Sequence, residues 1–211
     1  MTRFIPMRSP AGDTGEPDRG TVSWNGRSLA YEVYGGGDRL VVLLHGLLMD
    51  THLNKGVAHA LAALGYRVVL LDLLGHGNSD KPRHAAEYRM DTYADQVLAL
   101  LDHLEADQVV LGGVSLGANV SLHFAARHPD RVRALLIEMP VLERAVPAAA
   151  LTFVPALLTV HYALPVARAV SRLVRRVRPT GNALLDSALA PLASPPDVSA
   201  AVLHGILVGP T

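Results

Sequence analysis

The stretch "VVLGGVSLGANVSL", Val109 to Leu122, decides the fold. A β-branched apolar segment runs straight into Gly113-Val114-Ser115-Leu116-Gly117 and then into an alanine-containing segment with helical spacing. The run Gln108 to Leu111 reads as a buried parallel strand and Gly117 to Arg127 as a helix, so Ser115 falls on the turn between them. A serine there is exposed at a sharp corner. Such a corner needs neighbours without bulk, and Gly113, Gly117 and Ala118 provide the clearance.

The same alternation extends on both sides. "TVSW", Asn25-Gly26 and "RSLAYEVY" predict two strands joined by a type I′ turn, because Asn-Gly accepts the positive φ angles that turn requires. "RLVVLLHG" follows as a continuous apolar strand. "NKGVAHALAALG" places apolar residues at 57, 60, 61 and 64 on a helix, with Gly65 as its C-cap. "YRVVLLD" is another buried strand. "DTYADQVLALLDHLEA" puts Val97, Leu100, Leu101 and Leu104 on one helical face, with Asp91 or Thr92 as N-cap. "VRALLIE" reads as one more strand, with its outer edge left uncovered. Strands alternating with helices imply right-handed crossovers and a mostly parallel sheet with helices on both faces, here preceded by an antiparallel hairpin. In such sheets ligands bind at the carboxyl ends of the strands.

Composition narrows the function classes. A chain of 211 residues, half of them hydrophobic and 18% charged, buries one large core. Its formal net charge of zero lacks the basic footprint of phosphate neutralisation, so no nucleic-acid partner is expected. The absence of cysteine excludes disulfide frameworks, thiolate zinc sites and cysteine nucleophiles together. Residues 1–20 are rich in Pro, Gly and Asp and contain no apolar run of secretory-signal length; a mobile tail and a cytoplasmic protein are expected.

Three segments converge on the carboxyl edge of the sheet: His45-Gly46-Leu47, Asp72 with "LLGHGNSD", and the Ser115 corner. In "HGLLMD", "DLLGHGNSD" and "GVSLGA", between Thr21 and Pro140, the sequence resembles the α/β-hydrolase fold family. The resemblance implies that residues 21–140 are the hydrolase core and that Gly113-Val114-Ser115-Leu116-Gly117 is a nucleophile elbow. It makes Ser115 the catalytic nucleophile and gives the oxyanion two backbone N–H donors, those of Leu47 and Leu116. It calls for no cofactor and no metal. Some relatives, including certain haloalkane dehalogenases, take the acid of the triad from the end of the strand after the elbow, which here is Glu138. A carboxylate following an apolar run is expensive unless it is paired or at work, and the alternative for Glu138 is a hydrogen bond to the adjoining loop. His45 is a candidate base, but at the end of a strand beside a tight turn a histidine more often braces the oxyanion loop, and the same applies to His76. The dehalogenases and epoxide hydrolases of the family use an aspartate nucleophile, so Ser115 argues against both activities.

Residues 141–211 are expected to form a helical cap. Ala145 to Ala167 carries no formal charge, but three prolines and His161 divide it, which favours short apolar helices over a membrane span. "VARAVSRLVRRVR" sets Arg168, Arg172, Arg175 and Arg176 on one helical face, opposite Val166, Val170, Leu173, Val174 and Val177. That pattern suits a solvated cap helix or a weak contact with a membrane surface. After Glu138 only His161 and His204 remain, and no further buried strand follows, so the chain reads as truncated before the family's last two strands and its usual histidine. The functions open at this point are a serine hydrolase of small apolar esters or related acyl compounds, an inactive ligand-binding relative, and a cofactor-free haloperoxidase or carbon–carbon bond hydrolase.

Overall fold

The computed structural model describes residues 16–141 and 164–208. Six strands form one sheet: β1 (Asp18–Trp24), β2 (Arg27–Tyr34), β3 (Leu40–Leu44), β4 (Arg67–Leu71), β5 (Val109–Val114) and β6 (Val132–Glu138). Their order across the sheet is β1-β2-β4-β3-β5-β6. The β1–β2 and β2–β4 pairs are antiparallel and the β3–β4, β3–β5 and β5–β6 pairs parallel. This is the expected mixed sheet with its N-terminal hairpin. Asn25 and Gly26 turn the hairpin with φ of 46° and 74°, the paired positive angles of a type I′ turn. Strand β1 begins three residues before the expected Thr21, because Asp18, Arg19 and Gly20 pair with Val33, Glu32 and Tyr31.

Helices α1 (Lys55–Ala63), α2 (Met90–His103) and α3 (Leu116–Arg127) cover the sheet. Val41, Leu43, Val68 and Leu70 join Ala58 of α1 in one core on the first face. Val42, Leu44, Val69 and Leu71 face the other way into a larger core with Val97, Leu100, Leu101, Val120 and Phe124. Strands β3 and β4 are thus buried on both faces, which is why their sequences are continuously apolar rather than alternating.

Two local expectations are corrected. In α1 the inward face is Ala58, Leu61 and Ala62, so of the anticipated 57, 60, 61 and 64 only Leu61 packs on the core, and Val57, Ala60 and Leu64 point to solvent. Gly65 does end this helix, at φ 84°, with its amide donating to the Ala62 carbonyl at 2.9 Å. The N-cap of α2 is Arg89 instead of Asp91 or Thr92; Thr92 closes the turn from the third position, accepting the Arg89 amide at 3.0 Å. Strand β6 lies at the edge of the sheet, as expected, with Leu135 and Leu136 exposed.

Beyond β6 the described chain is helical: α4 (Leu164–Val177), α5 (Ala183–Ala193) and α6 (Pro196–Val208). The apolar run Ala145 to Ala167 lies mostly outside the described residues, as does His161. No helix among the described residues is long and apolar enough to cross a membrane. Helix α6 packs on the core loops: Val202 touches the space beside Gly75, and Gly205 lies against the Tyr88 carbonyl, where a Cβ would sit at 2.7 Å.

The join between β5 and α3 is packed backbone against backbone. A Cβ on Gly117 would stand 2.5 Å from the Leu44 carbonyl oxygen, and one on Gly113 would stand 2.6 Å from the Gly117 backbone. Helix propensity alone predicts that Gly117→Ala stabilises α3 by about 1 kcal/mol. Overpacking against backbone predicts the reverse, a loss of roughly 2–3 kcal/mol. Urea denaturation of Gly117→Ala should show the loss; a gain would contradict the packing at this join.

Candidate functional site

Ser115 occupies the corner between β5 and α3 at φ 53° and ψ −108°. That backbone conformation is strained for any residue with a side chain, and such strain persists only where the surroundings enforce it. Two contacts do so: the Ser115 amide donates to the Glu138 carbonyl at 2.9 Å, and its carbonyl accepts from the Asn119 amide at 3.0 Å. The side chain is left partly exposed, and its hydroxyl makes no hydrogen bond to a described residue.

The β3–β5 register pairs Leu44 with Gly113, which carries His45-Gly46 alongside Val114-Ser115. A Cβ on Gly46 would lie 3.7 Å from the Val114 carbonyl, so the turn after β3 rests directly beside the elbow. That turn closes with the Met49 amide on the Gly46 carbonyl at 3.1 Å and has Leu48 at φ 59°. Leu47 is its second residue, so its amide stays outside the turn's own hydrogen bond. Leu116 is the first residue of α3, where an amide has no intrahelical acceptor. The structure therefore brings the amide-bearing segments of Leu47 and Leu116 to the same edge as Ser115.

The loops around the elbow are held by buried polar side chains. His45 Nδ1 donates to the Gly46 carbonyl at 2.8 Å and its Nε2 accepts the Leu73 amide at 3.1 Å. An amide N–H aimed at Nε2 assigns the proton to Nδ1, and both nitrogens are occupied. His45 is a brace, unable to take a proton from Ser115. His76 is fully buried and donates from Nδ1 to the Leu74 carbonyl at 3.0 Å; burial pushes its pKa well below the usual histidine range, so it is neutral. Asp72 accepts the Thr51 amide at 2.9 Å and the Asn78 amide at 2.8 Å, tying the loop after β3 to the loop after β4. Burial raises its pKa against the pull of those two donors.

Sequence reasoning missed one arrangement. Arg178, just after α4, donates to Asp50 Oδ2 at 2.7 Å, and Asp50 Oδ1 accepts the His52 amide at 3.1 Å. Asp50 stands three residues after Leu47, so this pair fastens the helical segment to the loop that carries one of the candidate oxyanion donors. Burial works to raise the Asp50 pKa, but hydrogen bonds from His52 and Arg178 outweigh it and hold the carboxyl well below its ordinary range.

Glu138 meets the elbow through its main chain. Its carboxylate is exposed and pairs with no described residue, so the anticipated hydrogen bond to the loop is not formed. The outer face of β6 is open to solvent, which removes the desolvation cost that the expectation assumed. His204 is exposed on α6, and no histidine among the described residues is bonded to Ser115. No group of three His, Asp or Glu side chains among the described residues is arranged to hold a metal.

Comparison with known proteins identifies the fold family. The alpha/beta hydrolase fold family matches residues 39–170, more than half of the chain. Epoxide hydrolase B of Mycobacterium tuberculosis is 39% identical over 108 residues, covering 51% of this chain and 30% of that protein. A haloalkane dehalogenase of Mycolicibacterium paratuberculosis is 34% identical over 112 residues, covering 52% and 37%. The crystal structure of an epoxide hydrolase from Vigna radiata superposes with a TM-score of 0.58 at 27% identity, covering 68% of this chain and 46% of that one. The chain spans well under half the length of the curated relatives it matches.

Removing Arg178 tests the fastening of the loop. The pair is nearly buried, with side-chain exposures of 12% for Arg178 and 7% for Asp50, so Arg178→Ala should destabilise the protein by about 3 kcal/mol at pH 7. Because the folded-state pKa of Asp50 is depressed, this contribution is complete above the unfolded value of about 3.9 and is lost as pH falls below it. Between pH 7 and pH 3 the gap between wild type and variant should therefore hold constant down to about pH 5 and narrow measurably below about pH 4, with the remainder lost only as pH falls through the depressed folded-state pKa. A gap that stays constant across that range would contradict the ion pair.

Proposed function

The chain belongs to the α/β-hydrolase fold family, and on that premise we propose that Ser115 is the nucleophile of a hydrolase acting on esters or related acyl compounds. The observation that carries the reading is the conformation of Ser115, a non-glycine residue held at φ 53° and ψ −108° by glycine-only packing between β5, α3 and β3. Ser115 Oγ bonds to the acyl carbon as its proton passes to a base. The carbonyl electron pair becomes an oxyanion that meets the Leu47 and Leu116 amides. Collapse expels the alcohol with the proton, and water then repeats the sequence to free the acid. Glu138, at the end of β6, serves as the acid that orients a histidine base.

Serine also selects among the chemistries of the relatives. A carboxylate nucleophile that opens an epoxide or displaces a halide leaves an ester, which water cleaves. A serine doing the same leaves an ether, which water does not. Acyl carbon is the electrophile from which Ser115 can be regenerated.

A second reading, a ligand-binding protein without turnover, is favoured by one observation: both His45 nitrogens are occupied, and no histidine among the described residues is bonded to Ser115. Incubation with p-nitrophenyl butyrate and imidazole as a diffusible base separates the two. The hydrolase reading predicts one butyryl group on Ser115 by peptide mass mapping and none in Ser115→Ala. Without imidazole, turnover by the 211-residue chain should stay within roughly a thousandfold of the uncatalysed rate and be indifferent to His204→Ala. An adduct that persists in Ser115→Ala overturns the nucleophile, and the absence of any adduct selects the ligand-binding reading. Rapid turnover abolished by His204→Ala would show that α6 supplies the base.

A further inference from the structure

We infer that α4 docks on an anionic lipid surface, a proposal independent of the hydrolase reading. Over its 14 residues, about 21 Å of helix, Val166, Leu173 and Val177 are 66%, 62% and 57% exposed. Val170 adds to the same ribbon. Such a row of apolar side chains in water is unusual for a helix already docked on its own protein, since the docked side normally takes the apolar residues. Here the docked side is elsewhere. Ser171 is buried and donates to the Ala193 carbonyl at 3.0 Å, so α4 is held along a polar edge and presents its apolar ribbon outward.

Four arginines complete the pattern. Arg168, Arg172, Arg175 and Arg176 are all exposed, and none forms an ion pair with a described carboxylate. Arg172 and Arg175 reach only main-chain oxygens, those of Arg168 and Ala193. Positive charge that no described carboxylate compensates, beside an exposed apolar ribbon, matches one partner chemistry, a membrane interface carrying negative headgroups. The ribbon enters the acyl boundary, and the long arginine side chains extend to the phosphates. A purely polyanionic partner such as nucleic acid would leave the ribbon in water, and a neutral apolar partner would leave four charges unpaired.

Vesicle co-sedimentation tests the proposal with the 211-residue chain. Vesicles of phosphatidylcholine containing about one third phosphatidylglycerol should bind the protein at least tenfold more tightly than phosphatidylcholine alone, and raised salt should weaken the binding severalfold. Arg172→Gln with Arg176→Gln should abolish the preference for anionic vesicles. Leu173→Asp should abolish binding altogether, with an unchanged far-UV circular dichroism spectrum showing that the fold persists. Equal binding to both vesicles, no binding to either, or unaltered binding by these variants overturns the inference. Light scattering that shows a dimer in wild type and a monomer in Leu173→Asp would also overturn it, because a second copy would then cover the ribbon.

Discussion

The contact between Gly117 and the Leu44 carbonyl is the constraint on which the rest of the site depends. With no Cβ at Gly117 or Gly113, α3 starts immediately at the end of β5 and presses its first turn onto β3. The chain can make that reversal only by placing Ser115 at a positive φ. From this single approach follow the exposed hydroxyl, the free amide of Leu116 at the helix start, and the nearness of the turn after β3. A bulkier residue at either glycine separates all three at once.

Beyond the strand ends the backbone loses its ladder partners, and buried amides need acceptors from elsewhere. The protein supplies them from side chains. Asp72 takes the amides of Thr51 and Asn78, Gln96 takes that of Leu74, Ser79 takes that of Ala30, and His45 takes that of Leu73. These residues look like candidates for catalysis because they are polar, buried and near the elbow. Their hydrogen bonds show a different task, which is to tie the loops after β3 and β4 to one another and to the helices beside them. The Arg178–Asp50 pair extends the same scaffold to the helical segment.

Much of this was legible in the sequence, for local reasons. The Asn25-Gly26 turn, the doubly buried strands β3 and β4, Gly65 as a helix end and the glycine-flanked Ser115 each depend on residues within a few positions of one another. The helical face of Arg168, Arg172, Arg175 and Arg176 was readable in the same way. What stayed hidden depends on distance or on what the chain packs against. Arg178 and Asp50 are 128 positions apart, and nothing local marks either as the other's partner. The inward face of α1 was misread because its alanines are small enough to be buried or exposed, so packing against β4 chose Ala58 over Val57.

The central claim is that the fold, and not serine chemistry in general, makes Ser115 reactive. Labelling with a fluorophosphonate in the presence of imidazole as the base, in native buffer and in unfolding urea, followed by peptide mass mapping, measures this directly. The account predicts a single phosphonyl adduct on Ser115 in the native chain and none at that residue once the elbow is unfolded. An adduct on a different residue, or labelling of Ser115 at the same rate in urea, would contradict it.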